Sequence, residues 1–140
     1  MNERDLTMAQ QVAQAIREFQ ELRTGHAPKA VTVVLSEGTL VVTLHGALTP
    51  AEEALTRTTK GASQVRDFHR QLFESSFESL RQEIQRITGV AVQEAAVEVE
   101  TTTGAVLHVF SSGTMVQVFQ FSGSISEEAW TSPTTHGKSR

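Results

Sequence analysis

The chain has 140 residues, 39% of them hydrophobic, with a formal net charge of −4 and a pI near 5.7; that is enough for one domain with its own core. It contains no cysteine, which excludes disulfides, thiolate zinc sites and thiol nucleophiles, and its acidic balance weighs against nucleic acid as a partner. No apolar run approaches the roughly 18 residues of a membrane span, and the charged start Met1-Asn2-Glu3-Arg4-Asp5 lacks the apolar core of a signal peptide, so a cytoplasmic protein without a span of its own is expected.

Residues 6–23 predict the first helix, because Ala9, Val12, Ala13, Ile16 and Phe19 recur at three- and four-residue steps and form one apolar stripe. Asp5 or Thr7 is placed to cap its start, Gly25 to end it in the left-handed conformation, and Pro28 to prevent its resumption. Residues 31–35 and 40–45 predict a hairpin. Alternation along a strand puts Val31, Val33 and Leu35 on one face with Leu40, Val42 and Leu44, and leaves Thr32, Val41, Thr43 and His45 on the other. Ser36-Glu37-Gly38-Thr39 supplies the turn, with Gly38 at positive φ.

Leu48-Thr49-Pro50-Ala51-Glu52 is the clearest local signal and the pivot between sheet and helix. The Thr49 hydroxyl can accept from the Glu52 N–H, Pro50 at the first helical position forfeits no hydrogen bond, and the Glu52 carboxylate can reach back to the Thr49 N–H to close a capping box. A short helix over residues 50–59 follows, then a break at Gly61, then the longest helix over residues 63–88, ended by Gly89. Its apolar residues Val65, Phe68, Leu72, Phe73, Phe77, Leu80, Ile84 and Ile87 drift around roughly half the helix at about 100° per residue. So broad a face suggests contact with a partner subunit as well as with the sheet.

Residues 92–100 and 105–110 predict a second hairpin turning at Thr102-Thr103-Gly104, and residues 115–121 a further strand. The expected fold is α+β in the order α-β-β-α-α-β-β-β. It has two layers, with a mostly antiparallel sheet of four to five strands and helices packed on one face, all in a single domain over residues 1–121. Residues 122–140 are rich in Gly, Ser, Thr and Pro and read as a flexible polar tail, with Trp130 as its one anchor. A homodimer is expected, from the broad face of the long helix and from Phe119 and Phe121 on a late strand taken to lie at a sheet edge, where pairing is invited.

Candidate chemistry is sparse. The histidines His26, His45, His69, His108 and His136 show no zinc-binding helical spacing, so no metal site or cofactor is expected. His45 and His108 can meet if their strands are neighbours, and His69, near the apolar stripe, reads as packed and hydrogen-bonded. Gly25-His26-Ala27-Pro28-Lys29 is either a helix stop or an anion-binding loop in which Gly25 allows close approach and His26 and Lys29 supply charge. Arg66 is placed to pair with Glu52, Glu53 or Glu98. The serines lack a nucleophile-elbow context, and no acid, base and nucleophile converge, so a non-enzymatic protein is expected.

Together, the loop Gly25-His26-Ala27-Pro28-Lys29, the pivot Leu48-Thr49-Pro50-Ala51-Glu52, the spacing of Leu55, Gly61 and Val65-Arg66, and then Gly89-Val90 and Thr103-Gly104 resemble the MpsC family over residues 6–110. The resemblance implies association with a sodium-translocating, membrane-potential-generating system linked to inorganic carbon uptake. It also implies a membrane-protein partner and bicarbonate as the anion for the loop. It supplies no catalytic residues. His26-Ala27 stands where the family tends to have a lysine and a second glycine, and Glu98 where an aspartate is expected.

Overall fold

The computed structural model describes residues 6–94, 107–109 and 113–133. It has the order α1 (Met8–Thr24), β1 (Ala30–Ser36), β2 (Thr39–His45), α2 (Pro50–Leu55), α3 (Thr59–Thr88), β3 (Val92–Glu94), β4 (Leu107–Val109), β5 (Met115–Phe121) and α4 (Glu127–Trp130). This is the expected α+β fold, with an all-antiparallel sheet ordered β1-β2-β5-β3 and β4 also on β5.

The local signals act as the sequence dictates. Thr7 caps α1 through a capping box with Gln10, and Gly25 ends it at φ 75°. Glu37 and Gly38, both at positive φ, make the two-residue turn whose twist matches a hairpin. Leu40, Val42 and Leu44 from β2 and Met115, Phe119 and Phe121 from β5 are buried against Val12 and Ile16 of α1 and Val65, Phe73, Leu80, Ile84 and Ile87 of α3. The Phe73 and Phe119 rings lie 5.9 Å apart.

Four expectations change. First, the break between α2 and α3 falls at Thr56-Arg57-Thr58, and Gly61 lies inside the first turn of α3. A Cβ at Gly61 would stand 1.9 Å from the Leu55 carbonyl oxygen, so glycine is there to let the end of α2 lie on α3. Second, β3 and β4 do not pair with each other over their described residues. Since β2 occupies one edge of β5, both lie on the other edge and run in the same direction; the anticipated turn at Thr102-Thr103-Gly104 lies outside the described residues. Third, Phe119 and Phe121 point into the core from an interior strand, so they offer no edge for a dimer. The apolar face of α3 is wider than its covered side, with Phe68 left 48% exposed. Fourth, residues 122–133 of the expected tail are anchored to the core at a few points and form α4, while residues 134–140 lie outside the described residues. Trp130 is buried, Ile125 packs on the core, and the Met8 N–H donates to the Ser132 carbonyl. Trp130 is the anchor that the sequence offered.

Alanine at a helical glycine ordinarily stabilises by up to about 1 kcal/mol. Here Gly61→Ala is expected to destabilise by about 2–4 kcal/mol, because the methyl group meets backbone that must move. Urea denaturation of the variant measures the sign.

Candidate functional site

The pivot forms the capping box, and it carries more than a cap. The Glu52 N–H donates to Thr49 Oγ1 at 3.2 Å, and Glu52 Oε1 accepts the Thr49 N–H at 2.9 Å. The second oxygen, Oε2, lies 2.9 Å from His69 Nε2 on α3. A carboxylate only accepts, so the His69 ring donates from Nε2. The His69 side chain is 1% exposed and that of Glu52 16%. Position 69 belongs to the stripe Val65, His69, Phe73, Ser76 and Leu80, so helix periodicity drives the imidazole inward and the carboxylate gives it a partner. As expected from the sequence, His69 is packed and hydrogen-bonded.

His69 also walls a cavity of about 20 Å3 whose lining includes Gln20, Ser76 and Gln117, with Arg23 at its edge among apolar residues of α1, α3 and β5. Gln20 and Gln117 are buried, and Gln20 Nε2 and Gln117 Oε1 have no protein partner. Gln20 and Gln117 thus bring one orphan donor and one orphan acceptor to the wall region of the same small cavity. Sequence reading did not single out either glutamine. The signal was present: Gln20 sits one turn after Ile16 on the buried side of α1, and Gln117 alternates inward between Met115 and Phe119.

The loop of residues 25–29 is tied to its neighbours. The Gly25 N–H donates to the Glu21 carbonyl, that of His26 to Thr24 Oγ1 and that of Lys29 to the His45 carbonyl. His26 Nε2 lies 3.0 Å from the Gly46 carbonyl oxygen, which only accepts, so this nitrogen carries the proton. The Lys29 stem lies so close to Gly46 that a Cβ there would meet it at 2.8 Å. These donors join the end of α1 to the end of β2. Arg66 is exposed, and the place beside Glu52 is taken by His69 rather than by Arg66; Glu98 lies outside the described residues. His45 and His108 do not meet on adjacent strands, because β5 stands between β2 and β4. Away from the site, a hydrogen bond from Arg81 holds the exposed Glu78 carboxyl below its ordinary range.

Residues 5–112 match the family described as the Na+-translocating membrane potential-generating system (MpsC). The chain belongs to the MpsC family. Beyond that match, this MpsC chain is 26% identical over 100 residues to an uncharacterized protein, YbcI, of Bacillus subtilis (strain 168), covering 71% of the chain and 81% of the relative. No solved structure matches it significantly. The family region spans the pivot, the Glu52–His69 pair and Gln20, whereas Gln117 lies beyond it on β5.

Because Glu52 serves two partners, Glu52→Ala is expected to cost more than Thr49→Ala, whose lost cap is worth about 1 kcal/mol. The Glu52/His69 double-mutant cycle should show a coupling of about 1.5–3 kcal/mol, as for hydrogen bonds to a charged group. Denaturation of the four proteins gives both quantities. Additive losses would mean that the pair contributes no coupling.

Proposed function

We propose that this MpsC-family protein is a non-enzymatic accessory or regulatory component of a sodium-translocating, membrane-potential-generating system. In this reading it acts from the cytoplasmic side, as a homodimer on a membrane-protein partner. The family match over residues 5–112 carries the proposal. No described helix is long and apolar enough to cross a membrane, so the sodium path is assigned to the partner. The non-enzymatic part draws on Glu52 and His69. These are an acid and a base in contact, yet both Glu52 oxygens are committed to the cap and the helix tie.

A second reading, a small-anion binding domain working on its own, would hold the anion at Gly25, His26 and Lys29. The backbone N–H groups of all three are already engaged, which leaves only the side chains of His26 and Lys29 for it.

Deleting the gene in its source organism should reduce the sodium-dependent part of the membrane potential, read with a voltage-sensitive dye. Expression of the wild-type chain should restore it. An unchanged potential, with sodium present and absent, would overturn the assignment.

A further inference from the structure

Among the described residues the outer edge of β1 is open: the strand ends the sheet and pairs with β2 alone. Proteins blunt such edges with charges, proline, bulges or short strands, because the row of unpaired N–H and C=O groups is a template for another chain. Over Ala30–Ser36 the sequence Ala-Val-Thr-Val-Val-Leu-Ser has no charge, proline or glycine, and its register with β2 is unbroken. Val34 is 62% exposed, and Val31, Val33 and Leu35 are only partly covered although they face the core.

We propose that the outer edge of β1 pairs antiparallel with β1 of a second copy, about a two-fold axis through Val33. Three independent features select that register. It overlaps the strand fully, because Ala30 and Ser36 stand symmetrically about Val33. It sets Val31 against Leu35 of the second copy, so the helix-covered faces of both sheets stay on one side, whereas a one-residue slip would set core-facing side chains against outward ones. It also brings Lys29, four residues before Val33, opposite Glu37, four residues after it, and does so twice by symmetry. Both are exposed, and neither makes an ion pair among the described residues.

Beside this edge a groove of about 470 Å3 is lined by Leu35, Ile125 and Trp130 and flanked by Glu37 and Glu127. Val31 of the second copy is opposite Leu35, with Lys29 beyond it, so an apolar side chain meets the apolar floor and a cation meets the acidic rim. The contact is isologous and closes on itself, which limits assembly to a dimer. One short strand and one groove lie at the small end of specific interfaces, below about 1,200 Å2, so a micromolar, concentration-dependent equilibrium follows.

The inference rests on the homodimer part of the proposed function alone, so its failure leaves the membrane assignment standing. Sedimentation velocity of the full chain should show a monomer–dimer equilibrium. Lys29→Glu or Glu37→Lys should weaken it by about tenfold by turning each attraction into repulsion, and the double reversal should restore it. The chain has no native cysteine, so introduced thiols report geometry cleanly. Val33→Cys should cross-link to itself under oxidation. Val31→Cys and Leu35→Cys should each fail alone and cross-link when mixed. A monomer at high micromolar concentration would overturn the proposal. So would a dimer indifferent to both charge reversals, or one in which Val33→Cys stays reduced.

Discussion

The Glu52 carboxylate fixes how two successive helices leave the sheet. One oxygen stops the chain at Thr49 and starts α2; the other takes the His69 ring ten residues into α3. A cap alone sets where a helix begins but not where it points. The second bond supplies direction, because it ties the first turn of α2 to one fixed turn of α3. The absent side chain at Gly61 completes the joint by letting the Leu55 carbonyl rest on the α3 backbone. With α2 pinned in this way, α3 has one rotational setting, and that setting presents Val65, Phe73, Leu80, Ile84 and Ile87 to the sheet.

The core also carries polar groups. His69, Gln20 and Gln117 occupy positions that Leu or Met would fill without desolvation cost, and burying an amide without a partner costs free energy. His69 is compensated by Glu52. Gln20 and Gln117 line one small cavity, and the buried Gln20 Nε2 and Gln117 Oε1 have no protein partner. Such a cluster links α1, α3 and β5, the three elements whose mutual packing forms the core. Within it, the Glu52–His69 hydrogen bond constrains geometry more sharply than an oily contact, because it fails when its angle changes.

What the sequence disclosed follows the range of the interactions. Capping at Thr49, the glycine stops at Gly25 and Gly89, and the turn at Gly38 depend on residues within a few positions of one another, and each is formed. The alternation of β2 and the inward position of His69 follow from period alone. Whether β3 and β4 pair with each other or both with β5 depends on competition between distant strands, and alternation reads the same in either case. Phe119 and Phe121 looked like edge residues because the chain is nearly finished at β5, yet the sheet places that strand between β2 and the pair β3 and β4. The Glu52–His69 bond spans 17 residues. Its sequence signal was a histidine on a core stripe with no partner of its own, and the carboxylate that answers it was already accounted for as a cap. Residues 122–133 misled through composition: small and polar residues, serine above all, make up most of them, but Ile125 and Trp130 hold the segment against the core.

The two layers divide the molecule in a way that bears on assembly. Helix α1 packs on β1, whereas α3 packs on β3 and β4 at the other side of the sheet. Pairing through β1 would therefore bring the two α1 helices toward the two-fold axis and leave the α3 helices, which pack on β3 and β4, farther from it. Phe68, 48% exposed, lies on α3. A dimer of this form joins the copies through backbone hydrogen bonds along β1, and the Glu52–His69 joint takes no part in that pairing. The edge and the joint are thus separable by mutation: a charge at position 29 or 37 acts on association, and a change at 52 or 69 acts on the fold of each copy.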